Sequence, residues 1–104
     1  MTDTSNFERL LREMEAYAAE HHVPIINENG RQVFLSVIRE VRPRRVLEIG
    51  TAIGYSALLL AANGAADAHV TTLERSEERA ARAHGFIARS PYADRIEILQ
   101  GDAG

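Results

Sequence analysis

Residues 48–56 read Glu-Ile-Gly-Thr-Ala-Ile-Gly-Tyr-Ser, and this stretch decides the fold that the sequence predicts. It overlaps a short run of branched apolar residues, Arg45 to Ile49, which is typical of a buried strand. An apolar helical segment, Tyr55 to Ala62, follows directly. Gly50 lets the backbone turn sharply after the strand, and Gly54 lets it approach a ligand closely at a helix N-terminus. We therefore predict a ligand-binding loop at the carboxyl edge of a parallel sheet.

The segments on either side extend this pattern to the whole chain. Two more short apolar runs, 69–74 and 96–99, are predicted strands, and a helix capped by Ser76 separates them. Upstream, Ser5 with Glu8 resembles a capping box and predicts a helix from Ser5 to His22. A second helix is predicted after Asn27 and ends before Pro43.

These elements predict an α/β fold in which helices connect parallel strands. The fold class is a Rossmann-like doubly wound parallel sheet, limited to three strands and preceded by two N-terminal helices. We expect residues 1–104 to form one domain, with a helical lead-in at 1–43 and a βαβαβ unit at 44–104. In this order the first strand lies at an open edge, so Val46, Leu47 and Ile49 would be exposed there and would favour self-association into a homo-oligomer.

Composition excludes several classes of function. The 104 residues include no cysteine, so neither a disulfide scaffold nor a cysteine nucleophile is possible. All twelve basic residues are arginine, which excludes a Schiff-base or P-loop lysine. A net charge of -3 gives no overall attraction to nucleic acid or anionic lipid. No apolar run approaches the ~20 residues of a membrane span, and we expect a cytoplasmic protein without a membrane partner.

Acidic residues stand at the predicted end of each strand: Glu48, Glu74 and Asp102. Parallel strands bring their carboxyl ends to one edge, so these carboxylates should converge there. Glu74 could accept hydrogen bonds from both hydroxyls of a ribose, whereas Asp102 beside Gly101 is equally well explained as a turn residue. The dinucleotide fingerprint Gly-x-Gly-x-x-Gly is not met, because positions 52 and 55 are alanine and tyrosine.

In the glycine loop and at the strand ends, the sequence resembles the class I S-adenosylmethionine-dependent O-methyltransferases of the catechol and caffeoyl-CoA type. The similarity lies in residues 48–56, in Thr72-Leu-Glu74 and in Gly101-Asp-Ala103. The stretch from Glu15 to Ile25 is similar to the bacterial members that methylate 5-hydroxyuridine in tRNA. The resemblance covers nearly the whole chain and corresponds to the N-terminal half of such enzymes.

The resemblance implies S-adenosylmethionine as cofactor and assigns a role to each matching residue. The methionine portion would contact Glu48, Gly50 and Thr51, and Ser56 would bond its carboxylate beside Gly54. Glu74 would hold the ribose hydroxyls, Asp102 and Ala103 would flank the adenine, and Ile25 or Ile26 would close over the cofactor; we select Ile26.

The family also uses a divalent metal, magnesium, on acidic residues that follow a fourth strand. No such strand is predicted here, so we assign neither metal ligand nor catalytic residue, and we expect no methyl transfer by the chain alone. The acceptor is either 5-hydroxyuridine in tRNA or a small catechol-like or CoA-ester hydroxyl. An NAD-type nucleotide-binding module and an inactive fragment are the remaining alternatives.

Overall fold

Three parallel strands and four helices make up the part of the chain that the computed structural model describes, which is the backbone of residues 3–101 and the side chains of residues 5–101. The order is α1 (Asp3–Glu20), α2 (Glu28–Val41), β1 (Arg45–Ile49), α3 (Tyr55–Asn63), β2 (His69–Glu74), α4 (Glu77–Ala88) and β3 (Ile96–Gln100), with a short 3₁₀ turn at Ala93–Arg95 before β3. The predicted α/β class and the predicted strands are confirmed, and β3 is one residue longer than expected.

The strands lie in the order β1-β2-β3, with β2 in the centre and both pairs parallel. Glu48 is in register with Thr72, and Leu73 is in register with both Ile49 and Leu99. Because each strand is added on the same side of its predecessor, right-handed crossovers place α3 and α4 on the same face of the sheet. The carboxyl ends of the three strands, and the loops that follow β1 and β2, meet at one edge.

Burial divides the sheet into two faces. The covered face packs against the helices and includes Val70, which is fully buried, and Ile96. The other face, which we call the open face, carries the alternate residues of all three strands. Its apolar members are Leu47, Ile49, Leu73 and Leu99.

The expectation that β1 is a buried strand is wrong. Leu47 is 66% exposed and Ile49 is 62% exposed, because both lie on the open face of a strand at the edge of the sheet. The later expectation of an apolar edge holds for these two residues. It does not hold for Val46, which points to the covered face and is half-buried against the core.

The lead-in helices belong to the same core as the sheet. Met14 on α1 is fully buried and Ile38 on α2 is 2% exposed, and both share a cluster with Leu58 of α3 and Val70 of β2. Helix α3 is apolar on nearly all sides because it lies between α2 and the sheet. Its start, and therefore the loop before it, is fixed by packing on several sides.

Helix starts were predicted with mixed success. Asn27 and Ser76 cap α2 and α4 as expected, their side-chain oxygens accepting from the Gly30 N–H at 2.8 Å and the Arg79 N–H at 3.2 Å. The capping box at Ser5 is wrong, because α1 begins at Asp3 and Ser5 lies inside the helix. An acidic residue is favoured in the first turn of a helix, so the helix begins two residues before the motif.

Candidate functional site

The loop between β1 and α3 contains two glycines that are needed for different reasons. Gly50 has φ +89°, and a Cβ there would meet nothing within 4 Å, so its left-handed backbone borders open space. Gly54 has φ +93°, and a Cβ there would lie 3.0 Å from Ile87 Cδ1 on α4. Glycine is favoured at both positions because side chains rarely adopt positive φ. Gly50 therefore leaves room for a ligand, whereas Gly54 lets the loop pack against α4.

Backbone hydrogen bonds hold the first part of this loop to the neighbouring strand. The N–H groups of Gly50 and Thr51 both donate to the carbonyl oxygen of Leu73, at 2.8 and 3.1 Å. The Gly54 N–H donates to the Thr51 carbonyl oxygen at 2.9 Å, which closes a tight turn. The loop is therefore formed before any ligand binds.

Glu74, the last residue of β2, ties the loop to the start of α4. Its side chain is buried, at 7% exposure. Oε1 accepts from the Ala52 N–H at 2.8 Å, and Oε2 accepts from the Ser76 N–H at 2.9 Å. A carboxylate oxygen can accept more than one hydrogen bond, so acceptor capacity remains on both atoms.

Glu48 lies on the covered face of β1 beside two hydroxyls. Its Oε1 accepts from the Thr72 hydroxyl at 2.8 Å, and the Thr51 and Thr72 hydroxyl oxygens are 2.7 Å apart. Burial raises the pKa of the Glu48 carboxyl group, and the Thr72 hydrogen bond opposes this rise. Among residues 5–101, no arginine or histidine forms an ion pair with Glu48.

A cavity of about 340 Å³ opens at the carboxyl edge of the sheet. Pockets of roughly 300–1,000 Å³ are typical of small-ligand sites. The lining residues are Ile49, Gly50, Leu73, Glu74, Arg75, Arg79 and Gly101. The site thus combines an open glycine backbone, a carboxylate with acceptor capacity, apolar side chains and two arginines, which suits a polar organic ligand with hydroxyl groups.

The sequence-predicted residues are only partly brought together. Gly50 and Glu74 line this cavity. Thr51 and Glu48 do not line it, and the Thr72 hydroxyl joins them to each other by hydrogen bonds. Gly54 and Ser56 lie at the start of α3. Ile26 lines a second cavity of about 440 Å³ instead. Asp102 and Ala103 lie outside the described residues.

Arg75 and Arg79 were missed by the sequence interpretation. Both follow the carboxyl end of β2, and this position alone could have indicated that they lie beside the loop. Thr72 belongs to the Thr72-Leu-Glu74 motif, and the sequence assigns it no role of its own. No short-range pattern shows that its side chain joins Glu48 to Thr51.

The second cavity contains a polar cluster that the sequence did not predict, formed by Glu15, Arg31 and Tyr55. The Tyr55 hydroxyl donates to Glu15 Oε2 at 2.5 Å, and Arg31 Nη1 donates to Glu15 Oε2 at 2.9 Å and to the Tyr55 oxygen at 3.1 Å. Burial and the Glu15 hydrogen bond both raise the pKa of Tyr55. The cluster joins α1 and α2 to the first residue of α3, so it helps to fix the end of the glycine loop.

The described residues offer no metal centre and no membrane span. Among residues 5–101, no three histidine, aspartate or glutamate side chains lie together in a way that could hold a metal ion. Over the same range, no helix is both long and apolar enough to cross a membrane.

Two curated relatives match somewhat more than half of the chain. A tRNA1(Val) (adenine(37)-N6)-methyltransferase from Bacteroides thetaiotaomicron is 45% identical over 58 residues, which is 56% of this chain and 24% of that protein. A catechol O-methyltransferase from Mycobacterium tuberculosis is 40% identical over 63 residues, which is 61% of this chain and 29% of that protein.

Solved structures match over a longer range. An O-methyltransferase from Bacillus cereus in complex with SAH superimposes with a TM-score of 0.77 at 32% identity, over 91% of this chain and 44% of that one. TomG from Streptomyces achromogenes, an O-methyltransferase involved in tomaymycin synthesis and solved with SAM, gives 0.75 at 28% identity, over 90% and 43%. The chain therefore spans less than half the length of these structures, and its fold is the Rossmann-like methyltransferase fold.

The family profile described as O-methyltransferase matches residues 2–104, which is nearly the entire chain. This match agrees with the resemblance noted in residues 48–56 and with the superpositions. The chain belongs to the O-methyltransferase family.

Proposed function

We propose that this chain is the cofactor-binding part of an S-adenosylmethionine-dependent O-methyltransferase. The observation that carries the proposal is the cavity at the carboxyl edge of the sheet, where Gly50 leaves open space next to the buried carboxylate of Glu74. Family membership and solved relatives with SAM or SAH support it. We likewise propose, for the whole protein, that it transfers a methyl group from this cofactor.

The carboxylates suit the polar groups of this cofactor. Glu74 would accept hydrogen bonds from the ribose hydroxyls while it continues to hold the Ala52 and Ser76 N–H groups. Glu48 is half-buried and has no cationic partner among residues 5–101, so the ammonium group of the methionine portion would neutralise it. Burial makes such a pairing stronger than it would be in water.

The other proposed contacts rest on the family resemblance. Gly50 and Thr51 would border the methionine portion, Gly54 would bring the loop close to it, and Ser56 would bond its carboxylate at the start of α3. Ile26 would close over the cofactor, and Asp102 and Ala103 would flank its adenine.

The bound cofactor would supply a methyl group attached to a positively charged sulfur. This chain's own residues would orient that cofactor, since positioning is a large part of the catalysis of a transfer between two bound groups. The side chains of residues 5–101 do not form a metal site, so no step through a metal is assigned to them. We expect the 104-residue polypeptide to transfer no methyl group to a hydroxylated acceptor, and turnover in the presence of magnesium would contradict this.

The cofactor proposal is tested by titrating the chain with S-adenosylmethionine and with NAD in parallel calorimetric experiments. We expect the methionine-derived cofactor to bind more tightly, and a preference for NAD would reject the proposal. Glu74→Ala should weaken cofactor binding by about 1–3 kcal/mol, the range for loss of a charged hydrogen-bond partner. Glu97→Ala on the open face is the matched control and should bind as the unmodified chain does.

We propose 5-hydroxyuridine in tRNA as the methyl acceptor. The support is the similarity of residues 15–25 to the tRNA branch of the family. The arginines at 39, 42, 44 and 45 add little, because Arg39 bonds Asn63 and Arg44 pairs with Asp67. Binding of tRNA that contains unmethylated 5-hydroxyuridine should be compared with binding of a catechol and of a CoA ester. If only the catechol or the CoA ester binds saturably, the methyl acceptor is a small molecule and not tRNA.

Residues 1–104 would act as one cofactor-binding unit, and the shared core of α1, α2, α3 and the sheet supports this. We also propose that the chain self-associates through β1. The support is the exposure of Leu47 and Ile49 on a strand at the edge of the sheet.

A further inference from the structure

Thr72 lies in the middle of β2 and its side chain is fully buried, yet it carries a hydroxyl group. That hydroxyl is 2.8 Å from Glu48 Oε1 on β1 and 2.7 Å from Thr51 Oγ1 in the glycine loop. It therefore bridges two residues on separate segments, and both are proposed to contact the methionine portion of the cofactor.

The direction of these hydrogen bonds follows from counting protons. A hydroxyl has one proton to donate, and Thr72 gives its proton to the Glu48 carboxylate. The Thr72 oxygen must then accept the proton of Thr51. The chain of donors runs from Thr51 through Thr72 to Glu48, and each hydroxyl is fixed in one orientation.

This arrangement occupies one side of the Glu48 carboxylate and leaves the other available. No buried side-chain oxygen among the described residues lacks a hydrogen-bond partner. Thr72 engages Oε1 of Glu48, whereas Oε2 accepts no hydrogen bond within the described part of the chain and is not fully buried, so it keeps its acceptor capacity. An incoming ammonium group can bind to Oε2 while Thr72 holds Oε1.

We infer that Thr72 is a positioning residue for the binding of the cofactor's amino group. It acts through Glu48 and Thr51 and does not touch the ligand itself. The inference rests on the proposed function, since it concerns how the proposed cofactor site is held. The competing role for Thr72 is purely structural, with the hydrogen bonds serving only to satisfy a buried hydroxyl.

Two ligands separate these roles. S-adenosylhomocysteine carries the ammonium group, whereas 5′-methylthioadenosine has the same nucleoside thioether and lacks the amino-acid portion. Thr72→Val keeps the side-chain shape and removes the hydroxyl. We expect it to weaken S-adenosylhomocysteine binding by about tenfold and to leave methylthioadenosine binding unchanged.

Two further variants serve as controls. Thr72→Ser retains the hydroxyl and should restore most of the S-adenosylhomocysteine affinity. Thr71→Val removes the neighbouring hydroxyl on the open face, and both ligands should bind it as they bind the unmodified chain. If Thr72→Val melts below the assay temperature, Thr72→Cys replaces it, because a thiol is a weaker donor.

The possible outcomes distinguish a failure of the Thr72 inference from a failure of the proposed function. Equal weakening of both ligands by Thr72→Val, or no weakening of either, would overturn the positioning role while the cofactor proposal stands. If the unmodified chain binds neither ligand, the proposed function fails, and the role of Thr72 fails with it. Selective loss of S-adenosylhomocysteine that Thr72→Ser restores supports the inference.

Discussion

At the scale of single residues, two glutamates near the same loop are held in different ways. Glu74 accepts two backbone N–H groups, so its charge is compensated within the folded chain. Glu48 accepts one hydroxyl and is partly withdrawn from water, which raises the pKa of its carboxyl group. The first arrangement stabilises the loop, whereas the second costs stability that a bound cation could offset.

Glu48→Gln should therefore stabilise the ligand-free chain at neutral pH. The carboxyl group has an ordinary pKa of 4.5, and burial raises this pKa in the folded state. The cost of ionising Glu48 is absent below the ordinary value and grows as the pH rises through the higher, folded value. The gain in melting temperature from Glu48→Gln should therefore be larger at about pH 8 than at about pH 4.

The control for this measurement is Glu97→Gln, which removes the same formal charge from an exposed position on the open face. It measures the effect of net charge alone. A larger gain at low pH for Glu48→Gln, or an equal gain at both pH values, would contradict the assignment.

Sequence predicted the site best where a residue acts through local backbone geometry. The places of Gly50 and Gly54 in the loop and of Glu74 at the strand end were predicted because a turn and a strand end have short-range patterns. The links between Thr72 and Glu48, and between Tyr55 and Glu15, join residues 24 and 40 positions apart. Such contacts depend on strand register and helix packing, so no local pattern could indicate them.

At the scale of elements, the strands were predicted closely because their apolar runs are short and bounded by clear breaks. The start of α1 was placed two residues late, since a capping motif can also occur inside a helix. Exposure was harder to predict. The apolar residues of β1 look buried in the sequence, yet two of the three, Leu47 and Ile49, face solvent because β1 is an edge strand and no helix covers the open face.

Replacing Gly54 by alanine tests the close approach of the loop to α4, and replacing Gly85 on α4 provides a comparison without a close contact. Gly54→Ala should destabilise the fold by about 1–3 kcal/mol, because alanine is strained at positive φ and its methyl group would press against Ile87. Gly85→Ala should stabilise it by about 0.5–1 kcal/mol, since this position lies inside α4 with nothing within 4 Å of the new Cβ. Denaturant unfolding of both variants measures these changes, and a neutral Gly54→Ala would show that the loop does not need this close approach.

At the scale of the whole molecule, the helices cover one face of the sheet and leave apolar residues on the other. Leu47 and Ile49 lie on the open face at the edge strand β1, and Leu99 is 43% exposed on β3. Helix α2 also exposes Val33, Val37 and Val41 along one stripe. Either the open face at β1 or the valine stripe of α2 could support self-association. Testing the proposal for β1 therefore requires one variant on each surface.

Leu47 and Val41 form a matched pair, because each is 66% exposed. If β1 is the interface, Leu47→Lys should shift the chain toward monomer in sedimentation velocity over a range of concentrations, since a charge on an edge strand opposes pairing. Val41→Lys, on α2, should leave the distribution unchanged. The reverse result would assign the interface to α2. A clean monomer of the unmodified chain, with slow hydrogen exchange across residues 45–50, would contradict self-association altogether, because an unpaired edge strand should exchange readily.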